Sequence, residues 1–258
     1  MILRTKTNNI LFTIQLLYLK AGKAKQIAPT TDRLNRFSLQ YKITKCTVSR
    51  DICTRFGIGW YSSSRDFSSF TMAGDVRNII NYQRYPIAES KSHILQEIIS
   101  RARGELNDNG IALLRDFMLP WAIRQTIIDT EEALPDAFCK AVDHTVYLEE
   151  CQDSVLEKDH ARNILCRSSK CCIANDQIKT NSPLNQLYMS SEMTNFVRLL
   201  LNKDALYRTA DPLGALSLQV YRKNDGLDWH FDRGEFAVTL LLQAPEGGGR
   251  FQYIPSTR

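Results

Sequence analysis

Leu216-Ser-Leu-Gln-Val-Tyr221, Lys223-Asn-Asp-Gly226, Asp228-Trp-His-Phe-Asp232 and Phe236-Ala-Val-Thr-Leu-Leu-Leu-Gln243 follow one another near the end of this 258-residue chain. The first run alternates apolar and polar residues, as a half-buried strand does. Lys223–Gly226 is a turn, its Asp-Gly step supplying the backbone freedom of a tight reversal. Phe236–Gln243 is a more continuously apolar strand. Pro245-Glu-Gly-Gly-Gly249 breaks it, and Arg250-Phe-Gln-Tyr-Ile254 alternates again. Gly247–Gly249 is read as a turn, since no Gly-Lys-Ser/Thr follows to make a phosphate cradle. Short strands joined by tight turns predict an antiparallel sheet and suggest half of a jelly roll.

His230 and Asp232 lie two positions apart at the start of a strand, so they share a face. A neutral imidazole and a carboxylate are two of the three ligands of the 2-His-1-carboxylate triad, which holds Fe(II) and leaves positions open for chemistry. The spacing alone is weak. With four histidines in the chain, such a pair arises by accident in roughly one chain in five at ordinary aspartate usage. The bland alternative is a surface His and Asp at a turn; strand context on both sides favours metal.

The stretch from Asp228 to Pro255 resembles the core of the 2-oxoglutarate/Fe(II)-dependent oxygenase superfamily. More narrowly, it is similar to the group of free-amino-acid (lysine) halogenases and their hydroxylase relatives. The similarity extends back to about Val76, through Arg167-Ser-Ser-Lys170, Asp176-Gln-Ile178 and Ala210-Asp-Pro-Leu-Gly-Ala215. It implies an α+β fold, with N-terminal helices flanking a double-stranded β-helix (jelly roll). It implies Fe(II) held by His230 and Asp232, 2-oxoglutarate and O2 as co-substrates, succinate as one product, and hydroxylation of a small amino-acid-like substrate. In the halogenases a small residue replaces the carboxylate ligand and chloride fills its place, so Asp232 implies hydroxylation instead.

The resemblance also nominates substrate contacts. Arg167 matches an arginine placed near the substrate carboxylate, a task suited to a planar donor fork; the alternative is an exposed arginine. Asp211 would meet a substrate ammonium, or simply initiate the turn before Pro212. Arg233 and Glu235 would line the same mouth, and Trp229 would wall the pocket or fill the core. The superfamily draws its second histidine and its 2-oxoglutarate-gripping basic residue from later strands. With no histidine after His230, the barrel is expected to be incomplete, and the cofactor-binding residue is expected downstream of Arg258. An unpaired last strand would make the polypeptide poorly behaved unless another segment completes it. Two rival readings are a catalytically inactive fragment or binding module of the same fold, and a metal-dependent cupin isomerase that consumes no O2.

Composition narrows the rest. At 43% hydrophobic residues the chain can bury a core, and no apolar run is long enough to span a bilayer. The net charge of +5 is uneven: residues 1–69 hold 12 Lys/Arg and 3 Asp/Glu, whereas residues 70–258 hold 21 and 25. The body is therefore mildly acidic, which argues against nucleic acid as a partner; a small-molecule partner such as a free amino acid is what the resemblance implies. Residues 1–69 read as a disordered leader for a mitochondrion or plastid, with Arg65-Asp-Phe-Ser-Ser69 resembling a processing site. The alternatives are a secretory signal at Ile10–Leu19, argued against by Lys20, Lys23 and Lys25, or a disordered tail on a cytoplasmic protein. By the same resemblance, residues 70–258 would form the oxygenase domain, lacking its C-terminal strands. Its oligomeric state is not legible. The cysteines (Cys46, Cys53, Cys139, Cys151, Cys166, Cys171 and Cys172) include no Cys-x-x-Cys, and reduced thiols are the default.

Upstream, Lys91–Asn107 predicts a helix capped by Ser90 or Ser92 and stopped by Asn109-Gly110. Ile111–Phe117 predicts a strand and Pro120–Leu134 a second helix with Pro120 in its first turn. His144–Leu148 predicts a short strand, and Glu149–Ala161 a loop or exposed helix. Cys166–Cys172 has no readable period. Met189–Leu201 predicts a third helix buried through Met193, Phe196, Val197 and Leu200, and Ala210–Gly214 a turn. His93, His144 and His160 carry no ligand spacing and are expected to be solvated.

Overall fold

Amide and hydroxyl pairings at a few serines and glycines set the helix boundaries. The computed structural model describes residues 75–232 and 235–255, together with the backbone of strands β1 (Ile2–Lys6), β2 (Leu11–Leu16) and β3 (Tyr18–Lys20). Helix α1 (His93–Asn109) opens where the Ser92 hydroxyl accepts the Leu95 amide at 3.2 Å, and it ends at Gly110, whose φ of 73° suits a residue without a Cβ. Leu95, Ile99 and Ala102 face the core, while Ile94 is exposed. Helix α2 (Pro120–Ala133) places Pro120 at its start, where the missing amide hydrogen costs nothing. Its buried Thr126 and Thr130 return their hydroxyls to the carbonyls of Ala122 and Thr126.

Strands β4 (Phe138–His144) and β5 (Cys166–Ile173) come next, followed by helices α3 (Pro183–Met189) and α4 (Ser191–Leu200). Ser190 separates the two helices: its extended backbone ends α3, and its hydroxyl accepts the Met193 amide at 3.0 Å to start α4. The predicted third helix is thus α4 with its stripe of Met193, Phe196 and Val197. The seven-residue α3 is too short to carry a periodic signal. Strands β6 (Leu206–Arg208), β7 (Leu216–Tyr221), β8 (Gly226–Phe231), β9 (Val238–Gln243) and β10 (Gln252–Ile254) complete the chain.

Two upstream expectations fail. Ile111–Phe117 is not a strand; only Met118, just beyond it, bridges to Ile80. Its polar backbone groups go elsewhere. The Leu113 amide donates to Glu105 at 3.1 Å, and the Arg115 carbonyl accepts the Tyr85 hydroxyl at 2.6 Å. The strand expected at His144–Leu148 lies earlier and ends at His144.

All strand pairs given are antiparallel, and the large sheet is open, in the order β10-β1-β8-β5-β7-β2-β9, with β4 also on β5. The fold is therefore α+β. Among β7 to β10, strands that follow one another in sequence do not pair, contrary to the hairpins expected from the turns. Instead β7 and β8 run in succession along β5: Cys171 pairs with Val220 and Ser169 with Gly226. The intervening turn has Asn224 at φ 71° and is closed by Asp225, which accepts the Arg222 amide at 2.8 Å. β9 and β10 are paired by β2 and β1, so the last strands find partners in the first. Those partners fall within the segment expected to be a disordered leader; its residues 21–69 lie outside the described residues.

Helices pack on the face of β7 and β9 that carries Leu216, Leu218, Val220, Val238 and Leu242. Phe196 is fully buried there and stacks on Phe117 at 6.0 Å, with Tyr85 tilted against Phe117 at 5.2 Å. Cys139 and Cys171 face each other across β4 and β5 and form a disulfide, in contrast to the thiols expected; Cys151, Cys166 and Cys172 remain thiols. Among the described residues, no helix is long and apolar enough to cross a membrane.

Candidate metal site

His230 is 1% exposed, near the end of β8. Its Nδ1 lies 2.7 Å from the Asp228 carbonyl oxygen. A carbonyl can only accept, so Nδ1 carries a hydrogen, and in the neutral ring the lone pair sits on Nε2. Nε2 is 3.0 Å from Oδ1 of Asp232, a side chain that is 10% exposed. A lone pair and a carboxylate at that distance call for a positive centre between them, either a proton or a metal ion. A ring whose other nitrogen is fixed by a backbone carbonyl is the usual arrangement of a metal-bound histidine, and a nitrogen–carboxylate donor set suits Fe(II), Mn(II) or Zn(II). The residues fit a divalent metal. Among the described residues, no third His, Cys, Asp or Glu joins them in a ligand cluster.

The structure brings His144 to this pair, contrary to the solvated histidine expected. It is 3% exposed, and its ring meets that of His230 edge-on with centroids 6.4 Å apart. Its Nδ1 lies 2.8 Å from the Thr145 carbonyl and its Nε2 2.7 Å from Ser168 Oγ. The same hydroxyl accepts the Asp228 amide at 2.9 Å. Next to it, the Ser169 hydroxyl donates to Asp225 at 2.7 Å. The Phe231 amide donates to the Val146 carbonyl at 2.6 Å, and the Phe231 ring stacks on Tyr147 at 5.2 Å. Arg162 caps that stack from 5.1 Å.

Tyr221 is a further neighbour that motif reading missed. Its hydroxyl donates to Gln219 at 2.7 Å. Burial pushes the phenol well above its ordinary range, and nearby Cys172, Asp225 and Asp232 add to the rise. Both residues occupy the polar positions of the alternating 216–221 run. Burial likewise raises the Cys172 thiol, against the opposing effects of Lys170 and a hydrogen bond with Ser217.

The other nominated residues are scattered. Arg167 is 69% exposed and pairs with Asp143 across the β4–β5 ribbon at 3.2 Å. Asp211 accepts the Leu213 amide at 2.9 Å, so its carboxylate closes the turn. Arg233 lies outside the described residues. Glu235 pairs with Lys203 at 2.5 Å, and Trp229 is half-buried. His93 is exposed beside Glu97, and the exposed His160 accepts the Arg162 amide, both as expected for solvated histidines.

A buried imidazole and a carboxylate thus meet at the end of one strand of an antiparallel sheet. The family model for halogenase D matches residues 96–258. That span is more than half of the chain, which belongs to the halogenase D family. No curated protein and no solved structure matches it.

Proposed function

We propose that this protein is an Fe(II)/2-oxoglutarate-dependent oxygenase that hydroxylates a small amino-acid-like substrate. The observation that carries the reading is the Asp232 carboxylate 3.0 Å from Nε2 of His230, whose Nδ1 is held by a backbone carbonyl. Membership of the halogenase D family supports a halogenase-like or oxygenase-like enzyme. The retained carboxylate favours hydroxylation, because halogenation requires that position to be vacated for the halide.

His230 and Asp232 would hold the iron, and with 2-oxoglutarate and O2 bound it would supply the oxidation of a C–H bond. The chain's own residues bind and orient. The Asp228 carbonyl fixes the imidazole tautomer, and the Tyr147–Phe231 stack under Arg162 covers one side of the strand end. Arg167 would grip a substrate carboxylate by exchanging Asp143 for it. Exposed pairs of that kind contribute only about 0–1 kcal/mol, so the exchange costs little. The open sheet is read as part of a jelly roll, and the acid-poor segment 1–69 as an organellar leader. Processing near residue 69 would remove β1 and β2 from the sheet, so the N-terminus of the mature protein discriminates between the two roles of that segment.

The test is succinate formation by the full chain with Fe(II), 2-oxoglutarate, O2 and a panel of free amino acids. The expected result is iron-dependent succinate and a hydroxylated product, both lost in Asp232→Ala. Iron binding without any turnover would favour a non-catalytic binding module, and turnover without O2 consumption an isomerase.

A further inference from the structure

His144, Ser168 and the backbone of Asp228 are linked by hydrogen bonds in a series that ends at the ring of His230. With His144 neutral, each role in it follows from donor and acceptor chemistry. The Thr145 carbonyl can only accept, so His144 Nδ1 donates and its Nε2 bears a lone pair. That lone pair accepts the Ser168 hydroxyl at 2.7 Å. The Asp228 amide can only donate, and it donates to the same Ser168 oxygen at 2.9 Å. The Asp228 carbonyl, at the other end of that residue, accepts from His230 Nδ1 at 2.7 Å. His144 and Ser168 are 3% and 5% exposed, so water does not substitute for a lost partner.

We infer that His144 and Ser168 are positioning residues: by holding the Asp228 backbone, they fix the rotation of the His230 ring and aim its Nε2 at Asp232. This inference rests on the metal reading above and deepens it by assigning the orienting machinery to β4 and β5, which are remote in sequence from the ligands. Outer partners of metal-bound histidines typically change metal affinity by about 10–100-fold when removed.

The experiment uses the full chain with Co(II) as the probe, without co-substrate, and reads the dissociation constant and the visible absorption of the bound ion. Amide hydrogen exchange at Asp228 is measured in parallel on the metal-free protein. Ser168→Ala and His144→Leu are expected to weaken Co(II) binding about tenfold or more, to change its spectrum, and to speed Asp228 exchange. His144→Gln, which keeps an acceptor for Ser168, is expected to recover part of the affinity. His230→Ala is the reference. If wild type binds Co(II) and His230→Ala does not, while Ser168→Ala and His144→Leu match wild type in affinity and spectrum, the positioning role is overturned and the metal reading stands. If wild type and His230→Ala bind alike, the metal reading fails and takes the positioning role with it. A variant that unfolds is replaced by His144→Phe, which keeps a ring of similar size and loses the acceptor for Ser168; wild-type affinity and spectrum in that protein would overturn the inference.

Discussion

Strands β7 and β8 are consecutive, equal in length and aligned along the same strand, yet they are held in different ways. β7 contributes Leu216, Leu218 and Val220 to the apolar cluster under the helices, whereas no residue of β8 belongs to that cluster. β8 is held by directional bonds: Ser168 to the Asp228 amide, Ser169 to Asp225, and Val146 to the Phe231 amide. Burial is tolerant of small displacements and stabilises in proportion to area. Hydrogen bonds are less forgiving and define orientation. The half of the ribbon that carries stability and the half that carries the candidate ligands are thus separable.

The largest expected effect falls on the β7 side. Phe196→Ala removes a fully buried ring stacked on Phe117 and is expected to cost about 3–5 kcal/mol. Denaturant unfolding measures it. The folded fraction is expected to keep wild-type metal affinity; a parallel loss of affinity would break the separation between the strands.

Cys139→Ser is next. The disulfide joins residues 32 apart and staples the ribbon that brings Ser168 to β8. Its loss is expected to cost about 2–4 kcal/mol. Unlike Phe196→Ala, it is also expected to speed exchange of the Asp228 amide, because the strand supplying the bond loosens. Unchanged exchange would show that β5 is held without the staple.

Alkaline pH probes the helix side through Tyr188. Burial pushes the Tyr188 phenol up to about 12, against the ordinary value of 10.0 and the opposing effects of a Thr209 backbone bond and Arg208. The folded state keeps this proton where the unfolded chain releases it. The resulting stabilisation is full below pH 10 and is lost as pH rises towards about 12. Tyr188→Phe is expected to flatten the fall of stability over that window, read as melting temperature against pH. An unaltered slope would assign it to other groups, Tyr221 first among them.

The smallest effect is expected from Ser92→Ala. Loss of the hydroxyl that caps α1 is expected to cost about 1 kcal/mol and to leave the behaviour of β8 untouched.

The same contrast explains what was legible. Helices α1, α2 and α4, with the caps at Ser92 and Gly110, follow from periodicity and turn chemistry, which are local properties. The positions of β7 and β9 follow from their apolar patterns. Their partners do not, because strand order depends on pairings across most of the chain, such as β2 between β7 and β9. His230 and Asp232 were visible as a short-range pair. His144 and Ser168 were not, because 24 residues separate them and 60 separate Ser168 from Asp228; no spacing rule reaches that far. Ile111–Phe117 misled because an apolar run satisfied by Tyr85 and Glu105 looks the same as one satisfied by a neighbouring strand.

The most direct test of the central arrangement is the nitrogen spectrum of the histidine rings in the full chain, titrated with Zn(II) as a diamagnetic stand-in for Fe(II). Four histidines report. The account predicts that His230 shifts at Nε2 while its Nδ1 keeps its hydrogen, and that His93 and His160 stay where they were. A His230 ring that ignores the metal, or one that moves no more than His93 and His160, would contradict it.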